Sequence, residues 1–207
     1  MNQAEITGKY LKDFRLNGQN FDCVISSPLK RCKKTTKIIC SCIDYNKSDI
    51  IYMDEVSEVK KGSMSGLTNE DEIMKKLNKL AKDKIELMKD PIERYETELP
   101  KYSYNFFDKI IKDNDLQIEG LEIYEELVER AEHLIEYIKN TNSKKIIIVT
   151  HSGYLEILLK ILFNLSVLPK GSMKNGKNCS ICYCTCKNNI FTMVSPQNTE
   201  HLLIDFD

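Results

Sequence analysis

The sequence predicts a layered α/β fold with a mostly parallel central sheet. Two observations predict it: short apolar runs typical of buried strands alternate with amphipathic helical segments, and two of these runs end in a tight turn that leads directly into a helix. The chain has 207 residues, of which 42% are apolar and 29% are charged, which is enough for a substantial core. We therefore predict a single domain over residues 1–207.

The first third of the chain contains a helix, a strand-turn-helix unit and a second strand. Apolar residues recur at helical spacing over 6–14, so the chain opens with an amphipathic helix and with no strand before it. The run 21–26 predicts a strand, and Ser27-Pro28 predicts a helix N-cap followed by proline at the first helical position. A second strand is predicted at 50–53, and the polar residues after it predict a loop beyond its carboxyl end.

The rest of the chain adds a helical segment and a crossover unit. Residues 69–118 are lysine-rich with a helical pattern that prolines interrupt, and we interpret them as a helical insertion or cap. A helical stripe over 121–139 leads into a buried parallel-type strand at 145–150 and then into an apolar helix at 154–164. Three further strands are predicted at 177–186, 190–194 and 201–206.

Composition and charge exclude several classes of partner. Lys and Arg total 30 against 31 Asp and Glu, so the net charge is -1, and no global basic field exists to hold nucleic acid or an anionic membrane. The apolar runs are shorter than the ~20 residues that span a bilayer, and the N-terminus has no secretory signal. We therefore expect a cytoplasmic protein whose cysteines stay reduced.

A cluster of cysteines near the C-terminus allows a metal interpretation. Cys182, Cys184 and Cys186 alternate, so on a strand they share one face, where small apolar side chains pack well. A zinc site would prefer a paired Cys-x-x-Cys hairpin with further ligands elsewhere. We favour the core-strand interpretation and predict no metal site.

His151 follows the most strongly apolar strand of the sequence. The strand ends at Thr150, Ser152-Gly153 makes the turn, and a helix begins there. In open α/β sheets ligands bind at the carboxyl ends of strands, and a helix N-terminus offers free N–H groups to an anion. His151 and Ser152 are therefore candidates to bind phosphate. The alternative for His151 is a histidine satisfied by the backbone of its own turn.

Two further candidates lie at the same predicted edge of the sheet. Arg31 is in the first turns of the helix after the first strand, and its planar fork of donors suits phosphate oxygens. Alternatively, Arg31 and the lysines near it form a solvated helix face. Glu58 lies on the loop after the second strand, where a proton donor or acceptor would need to be. Asp54 and Glu55 are on the same loop, and any of these acids is alternatively surface charge.

Several segments of the chain resemble motifs of one known family, the phosphoglycerate mutase-like histidine phosphatase superfamily. The resemblance covers most of the chain except about 69–118 and implies a three-layer sandwich with a mostly parallel sheet. The resemblance begins with the first helix, at Gln3-Ala4. Ser26 to Arg31 corresponds to Ser-Ser-Pro-Leu-x-Arg of the family, and Glu58 to Gly66 corresponds to its Glu-x-x-x-Gly-x-x-x-Gly loop. Glu122 to Arg130 resembles the Glu-Ser-x-x-x-Val-x-x-Arg helix, and Val149 to Gly153 resembles the Val-x-His-Gly-Gly turn.

The resemblance implies phosphomonoester hydrolysis through a phosphorylated histidine. Arg31 and His151 would hold the phosphate oxygens with Ser152 beside them, and Glu58 would protonate the leaving oxygen. Charge stabilisation of this kind is what phosphoryl transfer chiefly requires of a protein. The scheme needs no metal and no cofactor. Its substrate would be a phosphorylated small molecule or a phosphoprotein, and the sequence does not predict the oligomeric state.

One motif of the family is absent from the 207 residues. Arg-His-Gly occurs nowhere, and neither His133, inside a helix, nor His201, at the start of the last predicted strand, occupies an equivalent place. The family carries this motif on a strand before the first helix. We therefore expect that strand and the nucleophilic histidine to lie in about 10 to 30 residues upstream, and the chain by itself to be inactive. The alternative is a pseudophosphatase, a non-catalytic phospho-ligand-binding or interaction protein on this fold.

Overall fold

The computed structural model of the protein describes residues 2–13, 20–65, 119–165 and 177–203. Helices and strands alternate along this part of the chain, as the sequence predicts. The helices are α1 (Gln3–Asp13), α2 (Lys30–Cys42), α3 (Tyr124–Asn140) and α4 (Ser152–Leu162), and the strands are β1 (Cys23–Ser26), β2 (Ile51–Tyr52), β3 (Ile146–Val149), β4 (Ile181–Lys187) and β5 (Ile190–Asn198). Short 3-10 helices lie at Lys47–Asp49, Asp54–Val56, Gly62–Met64 and Glu200–Leu203.

A parallel sheet brings the carboxyl ends of three strands to one edge. β1 lies in the middle and pairs in parallel with β2 and with β3. The register aligns Ser26 of β1 with Tyr52 of β2 and with Val149 of β3, so the three strands end side by side. The predicted α/β fold is confirmed. The absence of a first strand stays a prediction.

The core of this sheet is built from residues that the strands and α2 bury together. All four residues of β1 are buried, because helices cover a strand inside a parallel sheet on both faces. Burying one large aliphatic side chain contributes about 1.5–3 kcal/mol to stability. The central cluster consists of Val24, Ile39, Cys40, Ile43, Ile50 and Ile147.

The strands β4 and β5 form an antiparallel hairpin. Its turn is Asn188-Asn189, and both residues have positive φ angles, of 52° and 63°. Two-residue hairpin turns require such angles because they match the twist of the flanking strands, and asparagine tolerates them better than other residues with a side chain.

The chain divides into two compact units, Met1–Glu58 with Val128–Asp207, and Val59–Leu127. In the described part of the second unit, the backbone N–H of Glu122 donates to the carbonyl oxygen of Lys60, and the buried carboxylate of Glu122 accepts the N–H of Lys60. The single domain stays a prediction, and the helical segment predicted at 69–118 lies outside the described residues.

Two local predictions are wrong. Ser27-Pro28 does not cap α2, which begins at Lys30 after Leu29 with no side-chain cap. The Ser27 hydroxyl instead accepts the N–H of Leu29, before the helix, and contacts Nε2 of His151. The strand predicted at 201–206 is a 3-10 helix over Glu200–Leu203, and residues 204–207 lie outside the described part. His201 in that helix is buried and lies 2.9 Å from the hydroxyl of Thr7 on α1. This tertiary contact fixes the segment against α1 instead of in a sheet.

Within the described ranges, no helix is both long enough and apolar enough to span a membrane.

Candidate functional site

His151 lies at the carboxyl end of β3, in the N-cap position of α4. The buried imidazole is held by two polar neighbours: Nε of Arg31 donates to Nδ1 at 3.0 Å, and Nε2 lies 2.9 Å from the hydroxyl oxygen of Ser27. Because the guanidinium can only donate, Nδ1 accepts and carries no proton. The neutral ring therefore keeps its proton on Nε2 and donates it to Ser27.

The environment of His151 strongly disfavours the charged imidazolium. Burial of the ring, together with the positive charges of Arg31 and Arg130, lowers the pKa of His151 from 6.5 to about 4, and burial is the largest of these causes. At neutral pH the ring is uncharged. It can donate one hydrogen bond from Nε2 and accept one at Nδ1.

Arg31 is the second residue of α2 and links the histidine to a carboxylate. Besides the bond from Nε to His151, its Nη2 lies 3.8 Å from Oε2 of Glu58. Its side chain is 64% exposed, whereas the side chain of His151 is 3% exposed. The guanidinium is thus anchored at Nε, while the rest of its donors remain accessible to a ligand from solvent.

Glu58 follows the 3-10 helix Asp54–Val56 and turns its carboxylate toward α4. Oε2 lies 4.0 Å from Nδ1 of His151, and Oε1 accepts the N–H of Tyr154 at 3.2 Å. The carboxylate therefore lies at the N-terminus of α4, where the helix dipole favours negative charge. Ser152, the half-buried first residue of α4, lies at the same terminus.

The sequence assigned no role to Arg130, which fastens the segment leading to Glu58. Its Nη1 donates to the carbonyl oxygens of Asp54 and Ser57, at 3.1 and 2.8 Å, and its guanidinium lies 4.2 Å from the ring centre of Tyr154. The only signal for Arg130 in the sequence was its position as the last residue of the family motif that Glu122 to Arg130 resembles.

Ser27 and Cys32 were also missed as neighbours of His151. Ser27 was interpreted as a helix cap, and no functional role was predicted for Cys32. The Sγ atom of Cys32 is buried 3.4 Å from Nε2 of His151 and 3.5 Å from the carbonyl oxygen of Thr150. Burial raises the pKa of the Cys32 thiol, so it stays protonated at neutral pH.

The structure thus brings Arg31, Glu58 and His151 within 4.0 Å of one another at the carboxyl ends of β1 and β3. The guanidinium of Arg31 and the ring of His151 can donate hydrogen bonds to an anion at this helix N-terminus. The carboxylate of Glu58 beside them can give or take a proton. The other two histidines of the sequence lie elsewhere: His133 is exposed on α3, and His201 is buried against α1.

Solved structures share this fold. The phosphoglycerate mutase of Bacillus anthracis matches with a TM-score of 0.69 at 18% identity, over 97% of this chain and 81% of that chain. A mycobacterial glucosyl-3-phosphoglycerate phosphatase in complex with inorganic phosphate matches with a TM-score of 0.64 at 15% identity, over 96% and 85%. A phosphoserine phosphatase variant of Entamoeba histolytica in complex with phosphoserine matches with a TM-score of 0.62 at 18% identity, over 97% and 82%. The fold is therefore phosphoglycerate mutase-like.

Sequence comparison identifies the family. The family model described as histidine phosphatase superfamily (branch 1) matches residues 1–98 and 91–199, and this chain belongs to that superfamily. A curated relative, the uncharacterized phosphatase PhoE of Bacillus subtilis, is 38% identical over 69 residues, 33% of this chain. The chain thus matches about a third of that relative, 32% of its length.

Proposed function

We propose that this chain binds the phosphoryl group of a phosphomonoester with Arg31 and His151 and serves in its hydrolysis through a phosphohistidine. The observation that carries the proposal is the convergence of Arg31, Glu58 and His151 at one sheet edge. The exposed donors of Arg31 would bind two phosphate oxygens, and the Nε2–H of His151 would bind a third once the ligand replaces Ser27 as the acceptor of that proton. Ser152 would add donors from the N-terminus of α4.

Glu58 is proposed as the proton donor to the leaving oxygen. An arriving phosphoryl dianion competes with the carboxylate for the N-terminus of α4 and for Arg31. A protonated carboxyl beside the bound phosphoryl group is what general-acid catalysis requires.

The accepting histidine of this reaction is not assigned among the three in the sequence. His151 is committed to binding, and His133 and His201 lie outside the group of residues that surrounds Arg31 and Glu58. We therefore propose that the 207 residues by themselves bind phosphate without turnover. Hydrolysis is proposed for a form of the protein in which a further histidine faces Arg31.

A second candidate function is binding without catalysis. One observation favours it, namely that Arg-His-Gly occurs nowhere in the 207 residues. In that case the same groups would hold a phosphorylated ligand as a recognition site. For both candidates we propose a small phosphorylated molecule as the ligand, because solved relatives hold phosphoserine and inorganic phosphate; a phosphoprotein is the alternative.

Calorimetric titration with inorganic phosphate tests the binding site. We expect the wild-type chain to bind phosphate and Arg31→Met or His151→Gln to bind about 10- to 100-fold more weakly, as expected for the loss of a charge-assisted hydrogen bond. Lys37→Met is the matched control, because Lys37 is an exposed cation on the same helix, more than one turn beyond Arg31. Equal phosphate affinity in Arg31→Met and Lys37→Met, with both folded by circular dichroism, would refute the proposed site.

A turnover assay on the same chain separates the two functions. With p-nitrophenyl phosphate we expect binding and no burst or steady release of p-nitrophenol. Release that disappears in His151→Ala would show that the 207 residues contain their own nucleophile, and would overturn the assignment of binding without turnover.

A further inference from the structure

A group of sulfur atoms lies on the hairpin of β4 and β5. Cys182 and Cys184 are two residues apart on β4, and their Sγ atoms lie 3.9 Å from each other. Both side chains are half-buried, not sealed in a core, and Cys186 on the same face is exposed. The core-strand interpretation of these cysteines is therefore incomplete, because it does not explain a pair of accessible thiols in contact.

A third sulfur-containing residue, Met193, lies on the neighbouring strand. The register places Met193 of β5 directly opposite Cys184, and directly opposed residues of an antiparallel pair lie side by side on one face. The Met193 side chain is also half-buried. The register shifts by one residue between Tyr183 and Cys184, which leaves Val194 of β5 as the extra residue of a bulge. Such bulges redirect the side chains beside them.

The spacing of the thiols suits two ligands of one metal ion. Two sulfur atoms 3.9 Å apart, each bonded to a metal at about 2.3 Å, make an angle of about 116° at the metal. This is close to the angle of a trigonal site with three ligands. Among the described residues, no cluster of three or more His, Cys, Asp or Glu side chains suits a metal ion, which argues against a closed zinc site.

We propose that Cys182, Cys184 and Met193 form a binding site for monovalent copper. Thiolate and thioether are soft ligands, which select Cu(I) over the harder divalent ions. Binding would release the protons of both thiols, and the thioether would complete a trigonal set of three sulfur atoms. This site is separate from the proposed phosphate site and does not depend on it. It departs from the sequence prediction that the chain has no metal site.

Anaerobic titration of the reduced full chain with Cu(I), supplied as its bicinchoninate complex, tests the proposal. We expect the wild-type chain to withdraw one equivalent of Cu(I) from the competing chelator, and Cys182→Ser and Cys184→Ser to lose it. Met193→Leu, which keeps the volume, should bind Cu(I) more weakly. Cys42→Ser is the matched control, because Cys42 is equally half-buried but lies on α2. Equal withdrawal of copper by Cys184→Ser and Cys42→Ser would overturn the proposal.

Alkylation of the unmutated protein gives a test that does not depend on how the variants fold. One equivalent of Cu(I) should protect Cys182 and Cys184 from N-ethylmaleimide, as mapped by mass spectrometry of the digested chain. Cys42 and Cys186 should react as they do without copper. Protection of other cysteines, or of none, would refute a site at Cys182 and Cys184.

Discussion

Glu58 approaches the backbone of Gly153 so closely that a β-carbon on Gly153 would lie 2.8 Å from Oε1 of the carboxylate. Gly153 is the second residue of α4, where alanine would otherwise be favoured by about 0.5–1 kcal/mol. We predict that Gly153→Ala gains little or none of this stability in the wild-type chain, because Glu58 must move and its bond to the N–H of Tyr154 weakens. Urea denaturation measures the free energy of unfolding.

Making the same Gly153→Ala change in a Glu58→Ala variant measures the coupling between Glu58 and Gly153. With Glu58→Ala, nothing opposes the new methyl group, and Gly153→Ala should stabilise the chain by about 0.5–1 kcal/mol. The same gain in both backgrounds would contradict the close approach.

The low pKa of His151 makes the stability of the chain depend on pH. The unfolded chain binds a proton on this ring near pH 6.5, whereas the folded chain does so only near pH 4. Stability is therefore complete above pH 6.5 and falls as the pH is lowered toward 4, by about 2 kcal/mol between pH 7 and pH 5 for this group. We predict that His151→Gln removes this part of the pH dependence of the free energy of unfolding. An unchanged slope would show that His151 is not buried in its neutral form.

Arg130 is predicted to affect both stability and the His151 ring. Arg130→Met removes the bonds to the Asp54 and Ser57 carbonyls and should lower the free energy of unfolding by about 2–3 kcal/mol. It should also raise the pKa of His151, because Arg130 is one of the charges that lower it. A pH titration of the imidazole signals by NMR measures this shift. Arg130→Lys is the control, since it keeps the charge and loses the planar fork. If both variants leave that pKa unchanged, Arg130 has no electrostatic influence on the ring.

The contact between Thr7 and His201 is predicted to anchor the segment after β5 to α1. Both side chains are buried, and their polar atoms lie 2.9 Å apart. Thr7→Val keeps the shape of the side chain but leaves the Nε2 of His201 without this partner, which should cost about 1–3 kcal/mol. Thr7→Ser retains the hydroxyl and should cost less. Thermal unfolding followed by circular dichroism compares the two variants, and a loss in Thr7→Val no larger than that in Thr7→Ser would contradict a stabilising hydrogen bond to His201.

Local patterns predicted the positions of the site residues better than their contacts. An apolar strand, a turn and a helix place His151 at a sheet edge, and the same pattern places Arg31, because strand ends and helix starts are encoded by neighbouring residues. Ser27 was interpreted wrongly since its partner, His151, is 124 residues away. A pattern of neighbouring residues cannot predict a contact between residues so far apart in the sequence.

The end of the chain was mispredicted for a similar reason. The mostly apolar run at 201–206 predicted a strand, but the buried His201 packs against Tyr10 and Thr7 of α1, and this tertiary contact prevails over a weak local preference. Arg130 illustrates a different limit, because a charged residue in an amphipathic helix has no local signal that distinguishes a solvated side chain from one that binds backbone carbonyls.

The parallel pairing of β1 with β3 has a consequence for how the protein folds. Cys23 pairs with Ile146, and the Asp22 carboxylate accepts the backbone N–H groups of Lys144 and Lys145, so neighbouring strands are joined across more than 120 residues. Contacts between residues so far apart in the sequence form slowly, because the chain loses conformational entropy before the contacts stabilise it. Arg31 and His151 therefore meet late in folding, after β3 has been synthesised. The cost of closing this connection rises by only about 0.6 kcal/mol for each doubling of its length, so the length of the chain between the two strands can change with little effect on their pairing.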